Sequence, residues 1–271
     1  MLQETAKILW SEPVSEAVYR IGLTGGVQYA AAEPGQFVTL RLPGESTPLL
    51  RRPFSIHRVH TSHGRVKRIE ILYKTVGDFT RKLARQKKGD ALDLLGPLGH
   101  GFTASPQIQS AALVAGGIGV APMVFLAEKL KSAGTFLKDS VACLGGRSAA
   151  DILCAADFQA MGIETQIATE DGSLGEKGLV TEILAEWLKN SKPDMIYACG
   201  PVPMLDAVSS IARQHERPCE VSIETIMACG VGACLGCAIK DTEHAEGYGH
   251  VCIDGPVFKS DRVLDDRYRV L

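Results

Sequence analysis

Cys229, Cys234, Cys237 and Cys252 stand in a C-x4-C-x2-C-x14-C pattern. That spacing lets one loop fold four thiolates around a binuclear [2Fe–2S] cluster of the plant-ferredoxin type. Gly230, Gly232 and Gly236 fall between the ligands. Small, permissive residues there let backbone N–H groups turn toward the sulfurs, where hydrogen bonds tune the potential. A zinc site is the competing reading, but it more usually presents two C-x2-C knuckles, and here only Cys234 and Cys237 form one.

A second set of residues suits phosphate-bearing cofactors. Arg52-Pro53-Phe54-Ser55 follows an expected strand, where a guanidinium can grip a flavin pyrophosphate bidentately and a flat aromatic can lie against the flavin. Gly77-Asp78-Phe79-Thr80 opens a short helical stretch to Arg85, whose first amides could receive a phosphate; N-capping by Asp78 is the plainer reading. Leu113 to Pro122 reads as a strand, a turn with Gly116, Gly117 and Gly119, and a helix start, which is where a dinucleotide binds in a doubly wound sheet. The third glycine of G-x-G-x-x-G is absent, so this is not the Rossmann fingerprint. Cys199-Gly200-Pro201 ends a later strand on the same ligand-binding edge, where the thiol could face a nicotinamide or be a small buried hydrophobe. Arg147, after the second strand, either meets a 2′-phosphate or caps its turn. Cys143, Cys154 and Cys219 read as inert core thiols, and His57, His60 and His63 as solvated loop residues.

The elements that must position these residues change character along the chain. At 271 residues the sequence exceeds one usual domain, taken as roughly 150 residues. Up to about Leu98, segments such as Gln36–Leu42 and Arg68–Lys74 alternate apolar and polar between turn residues, which fits an antiparallel β-barrel over 1–101 better than a sandwich, though alternation alone does not separate the two. Over 102–223, apolar strands at Ala111–Ala115, Val141–Leu144, Ile163–Ala168, Met195–Ala198 and Pro218–Ile223 alternate with helices near Val120–Lys131, Ala150–Gln159, Leu179–Leu188 and Val202–Gln214. That pattern predicts an α/β parallel sheet with right-handed crossovers. Over 224–271 periodicity is lost and Gly and Cys dominate, giving a small third unit. The 29 basic and 31 acidic side chains nearly cancel to −2, so nucleic acid is not an expected partner. No stretch approaches the roughly 18 apolar residues of a membrane span. The start of the chain shows no apolar leader, so the reducing cytoplasm is the expected compartment and the eight cysteines call for chemistry rather than disulfides.

Taken in order, the barrel, Arg-Pro-Phe-Ser, Gly-Gly-Ile-Gly-Val-Ala-Pro and Cys-Gly-Pro resemble the ferredoxin–NADP reductase superfamily over residues 5–223. Glu224 through Cys237, followed by Val251 to Phe258, narrows the resemblance to the electron-transfer subunits of class 1B dihydroorotate dehydrogenases. The resemblance implies FAD on the barrel, NAD(H) on the sheet and a [2Fe–2S] cluster facing a separate FMN-containing catalytic subunit. That subunit would oxidise dihydroorotate to orotate in pyrimidine biosynthesis, in a heterotetramer of two copies each. Carried over by position, Arg52, Pro53, Phe54 and Ser55 match the flavin motif, and Leu72, Tyr73 and Lys74 match the next flavin strand. Gly77 and Thr80, beside Asp78, match the phosphate turn, and Cys229, Cys234, Cys237 and Cys252 match the cluster ligands. Phe54 replaces the superfamily's common tyrosine and lacks its hydroxyl, and the turn around Val76–Asp78 is shorter. The logic is that of an electron transformer: a nicotinamide gives two electrons as hydride, a cluster takes them singly, and a flavin mediates. A related ferredoxin:NADP or sulfide oxidoreductase small subunit usually has Asp at the first ligand position, against Cys229 here.

Overall fold

The computed structural model describes residues 2–44, 49–134, 139–244 and 247–264. Seven strands build the first sheet: β1 (Leu2–Ser15), β2 (Val18–Leu23), β3 (Phe37–Arg41), β4 (Arg52–Ser55), β5 (Arg58–Ser62), β6 (Arg65–Lys74) and β7 (Ala91–Leu98). Every pairing is antiparallel, in the order β4-β3-β7-β1-β2-β6-β5. The cause is visible in β7, whose burial alternates residue by residue so that Leu92, Leu94 and Leu98 face inward. Leu92 and Leu94 meet Val38, Leu40, Ile21, Leu23, Ile69 and Ile71 in one apolar interior, while Leu98 packs in the core shared with the parallel sheet. Each such side chain contributes roughly 1.5–3 kcal/mol when fully buried. The sheet curls without closing, because β4 and β5 at its two edges share no ladder, so a half-barrel replaces the expected barrel. The short helix α1 (Asp78–Ala84) buries Phe79 and Leu83 in the same interior.

The second sheet contains β8 (Ala111–Gly116), β9 (Val141–Gly146), β10 (Glu164–Thr169), β11 (Glu176–Lys177), β12 (Met195–Cys199) and β13 (Cys219–Ser222), with helices α2 (Val120–Ser132), α3 (Ala155–Ala160), α4 (Val180–Leu188) and α5 (Val202–Gln214) between them. These strands pair in parallel, in the order β11-β10-β9-β8-β12-β13. Ala111 to Ala115 are all buried, as expected of a parallel strand covered on both faces. The order reverses between β8 and β12, and that switch point opens a crevice outside the carboxyl ends of the strands. The helix expected over Ala150–Gln159 is shorter, because Cys154 sits at φ 59°, a left-handed conformation that a right-handed helix cannot continue through.

The C-terminal part adds β14 (Ala238–Lys240) and β15 (Tyr248–His250) as a hairpin, then β16 (Val257–Lys259) and α6 (Ser260–Val263). β16 pairs antiparallel with β13 and covers the edge of the parallel sheet. The His100 N–H donates to the Gly255 carbonyl at 2.6 Å and the Ile223 N–H to the Pro256 carbonyl at 2.8 Å, so this segment touches both sheets. No helix among the described residues is long and apolar enough to cross a membrane.

Candidate functional site

A cavity of about 530 Å³ lies on the open side of the half-barrel. Arg52, Pro53, Phe54 and Ser55 of β4, Leu72, Tyr73 and Lys74 of β6, and Gly77, Asp78 and Thr80 at the start of α1 all line it. Antiparallel strands bring these three sequence-distant segments to one wall. Phe54 stands edge-on to Tyr73, with ring centroids 5.8 Å apart, and 6.0 Å from the Phe79 ring. Arg52 directs Nη1 to the Leu50 carbonyl at 2.9 Å, so its fork is held by its own loop beside the cavity. The Thr80 hydroxyl accepts from the N–H groups of Val76 at 2.9 Å and Gly77 at 3.1 Å, which fixes the turn. Gly77, not Asp78, is the N-cap; the Asp78 carboxylate instead accepts from Arg81 at 2.7 Å.

A second cavity of about 690 Å³ opens at the switch point of the parallel sheet. Gly116, Gly117 and Gly119 line it from the β8–α2 turn, and Gly200 and Pro201 from the β12–α5 turn. The two turns pack so closely that a Cβ on Gly119 would lie 2.2 Å from the Cys199 carbonyl oxygen, and one on Gly116 would lie 2.8 Å from Met204 Sδ. Glycine is therefore required for the turns to meet and leave the crevice open. Of the two readings of Cys199, the structure has the buried small residue and not a thiol on the cavity wall: it is 1% exposed within the sheet, and burial, with Glu224 adding to it, raises its thiol far above the ordinary range. Only its backbone shapes the crevice. Arg147 is tied to Asp151 at 3.1 Å, and Asp151 takes Lys74 of the half-barrel at 2.9 Å. Arg147, Asp151 and Glu170 all line this cavity.

Lys74, Ile118 and Glu224 belong to both cavities, so the two clefts meet there. Neither Ile118 nor Glu224 is among the site residues expected from the sequence. The signal for Glu224 was its place just past β13, at a carboxyl end where ligands gather in such sheets. Glu224 is exposed to the shared cleft, and desolvation by the protein around it raises its carboxyl above the usual range. Thr225, Met227 and Pro256 extend the first cavity toward the cysteine loop.

In that loop Gly230 at φ 73°, Gly232 at φ 78° and Leu235 at φ 58° curl the backbone; the third left-handed residue is Leu235 rather than Gly236. The curl aims N–H groups at sulfur: Val231 and Cys234 donate to Cys229 Sγ, each at 3.4 Å, and Gly232 to Cys252 Sγ at 3.2 Å. The β14–β15 hairpin brings the distant cysteine in, since the Val251 N–H bonds the Cys237 carbonyl at 3.1 Å. Cys237 Sγ and Cys252 Sγ then stand 3.2 Å apart, too far for the roughly 2.05 Å of a disulfide. Burial opposes ionisation of Cys229, but the N–H groups of Val231 and Cys234 outweigh it and bring its thiol down to about 7. Burial, with Cys237 beside it, pushes Cys252 up to about 12. Among the described residues no three His, Cys, Asp or Glu groups converge as a single metal ion demands. A binuclear centre divides its ligands between two irons, and four thiols with N–H···S donors are the donor set it uses.

His57 lies outside both cavities and, contrary to the solvated reading, is completely buried between the half-barrel and α2. Cys143 and Cys219 are buried in the core, and Cys154 is half-buried at the start of α3.

Residues 224–264 match the family model for the iron-sulfur cluster binding domain of dihydroorotate dehydrogenase B, and residues 113–210 match that of the oxidoreductase NAD-binding domain. The chain is 43% identical to the dihydroorotate dehydrogenase B (NAD(+)) electron transfer subunit of Desulforamulus reducens, over 86% of this chain and 87% of that one. It is 40% identical to the subunit of the same name from Listeria monocytogenes, over 97% and 99% of the two chains. Among solved structures, the NADH-dependent reduced ferredoxin-NADP oxidoreductase superposes with a TM-score of 0.81 at 28% identity, covering 95% of this chain and 88% of that one. A ferredoxin NADP+ reductase from Neisseria gonorrhoeae, solved with bound FAD and NADP, shares the fold at 15% identity, with a TM-score of 0.63 over 79% and 91% of the chains. The chain therefore belongs to the dihydroorotate dehydrogenase B (NAD(+)) electron transfer subunits, a family of oxidoreductases on the ferredoxin–NADP reductase fold.

Proposed function

We propose that the chain carries electrons between NAD(H) and a catalytic subunit that holds FMN and oxidises dihydroorotate to orotate, in a cytoplasmic assembly of two copies each that serves pyrimidine biosynthesis. The observation that supports this reading is the meeting of the two cavities at Lys74, Ile118 and Glu224, with the first running on through Thr225 and Met227 toward the four thiols. When bound, FAD exchanges hydride in one two-electron step and a [2Fe–2S] cluster exchanges electrons singly. The chain's own residues hold and separate them. Arg52 offers an always-charged fork to the FAD pyrophosphate, Phe54 and Tyr73 wall the flavin, and the turn fixed by Thr80 carries the phosphates. Gly116, Gly117 and Gly119, facing Gly200 and Pro201, leave room for the NAD(H) phosphates at the start of α2. Arg147, tied to Asp151 beside Glu170, suits the free ribose hydroxyls of NAD(H) better than a 2′-phosphate. Cys229, Cys234, Cys237 and Cys252 hold the cluster. The work divides as FAD binding over 1–101, NAD(H) binding over 102–223 and cluster binding over 224–271.

Metal and flavin analysis of the purified chain, with its visible spectrum, tests the assignment. Flavin bands, an iron-sulfur envelope and about two irons per chain are expected. Stoichiometric zinc in place of iron would contradict it.

A further inference from the structure

Directly after the Arg52–Ser55 strand, His57 and Arg58 reach across to the parallel-sheet half of the molecule. His57 is fully buried and Arg58 is 7% exposed. Arg58 Nε donates to Glu128 Oε1 of α2 at 2.7 Å, and Nη2 to Asp157 Oδ1 of α3 at 2.5 Å. Its remaining nitrogen Nη1 meets His57 Nε2 at 3.2 Å, and His57 Nδ1 lies 2.8 Å from the Ala121 carbonyl. A guanidinium only donates, so Nε2 accepts and Nδ1 carries the proton that bonds Ala121. Burial pulls the imidazole down to about 4, which keeps the ring neutral in this arrangement.

The contacts on α2 fall at Ala121, Phe125 and Glu128, an i, i+4, i+7 set that shares one helical face. Phe125, between the two polar contacts, is buried in the interior of the half-barrel. Ala121 itself lines the flavin cavity, and the turn just before it carries Ile118, which lines both cavities, and Gly119. The first turn of α2 is thus held by the buried His57–Ala121 bond, and Arg58 ties the same helix further on at Glu128 and α3 at Asp157.

We propose that His57 and Arg58 are positioning residues for hydride transfer: they latch the first turn of α2 to the half-barrel and so set the separation of the nucleotide and flavin cavities. This rests on the reading that NADH reduces FAD here. Displacements near 1 Å can cost on the order of 100-fold in rate, so a loosened latch should act on the rate of transfer more than on nucleotide binding.

The test uses the full chain loaded with FAD, comparing wild type with Arg58→Met, His57→Leu and His57→Asn. Anaerobic stopped-flow reduction by NADH gives the limiting rate and the half-saturating concentration, calorimetry gives NAD+ affinity, and hydrogen exchange follows residues 117–125. Arg58→Met and His57→Leu should lower the limiting rate by about 10-fold or more, leave both binding measures within about 3-fold, and speed exchange in 117–125. His57→Asn, whose amide nitrogen can replace Nδ1, should restore most of the rate. Glu128→Gln and Asp157→Asn, at better exposed positions, should lower the rate in the same direction if the buried variants fail to fold. Unchanged limiting rates with only a lowered Tm would overturn the latch. Wild-type flavin that NADH does not reduce would overturn the underlying reading instead.

Discussion

Replacing Gly119 with alanine should impair nucleotide chemistry far more than replacing Gly117, although the two stand two residues apart in the same turn. An alanine Cβ at 119 would lie 2.2 Å from the Cys199 carbonyl oxygen, 2.6 Å from its carbon and 2.9 Å from the Gly200 nitrogen. All three are backbone atoms at the switch point and cannot rotate away. Relieving the oxygen contact to even 3.0 Å forces the β8–α2 and β12–α5 turns apart by about 0.8 Å. Overpacking of this kind costs about 1–3 kcal/mol in stability. A shift approaching 1 Å between reacting groups costs up to about 100-fold in rate. Gly117, by contrast, sits at φ 53° with nothing within 4 Å of its would-be Cβ, so alanine there meets backbone strain of about 1–2 kcal/mol and no clash. Anaerobic stopped-flow reduction of bound flavin by NADH, with NAD+ titration and thermal melts on both variants, measures the contrast. Gly119→Ala should reduce flavin at least about 10-fold more slowly than Gly117→Ala. Equal rates in folded proteins would refute the packing argument for this turn.

Cys234→Ser should bleach the iron-sulfur bands and lower iron while leaving flavin bound; iron near two per chain with an unchanged reduced-state EPR signal would remove Cys234 from the ligand set. Arg52→Ala should weaken FAD retention on dialysis and spare NAD+ binding by the sheet half; full flavin occupancy after dialysis would show that the fork is dispensable. Glu224→Gln has a defined pH signature. Desolvation raises the folded-state carboxyl of Glu224 above its unfolded value, so the acid carries no penalty at low pH and costs stability once pH rises past the ordinary glutamate range. Melting curves from about pH 4 to 7 should therefore show the wild type losing ground to Glu224→Gln as pH increases, and a constant difference would contradict the desolvated placement.

The features legible in the sequence were those with a local signature. Strand alternation in β7, the apolar run of β8 and the glycine turn before α2 each carry their structural cause within a few residues. The ten residues expected at the flavin line one cavity, because each of their three segments carries its own local motif, though only the antiparallel sheet brings the segments together. Long-range packing stayed hidden. His57 reads as a loop residue until α2, more than sixty positions later, closes over it. Cys199 sits at a strand end as expected, yet its side chain alternates into the sheet and only its carbonyl shapes the crevice. The addition of β16 beside β13 follows from covering an exposed edge, which no pattern in Val257–Lys259 announces. The left-handed turn between Cys234 and Cys237 falls on Leu235 rather than on Gly236, which the residue types alone do not announce.

The division of labour between this chain and its partner is tested most directly by dihydroorotate-dependent reduction of NAD+. The isolated chain, loaded with FAD and cluster, should reduce ferricyanide with NADH and show no NAD+ reduction with dihydroorotate. Adding the catalytic subunit should make dihydroorotate-dependent NAD+ reduction appear, and Cys234→Ser should abolish it while sparing the ferricyanide reaction. Dihydroorotate-dependent NAD+ reduction by the single chain, free of any second polypeptide, would contradict the account.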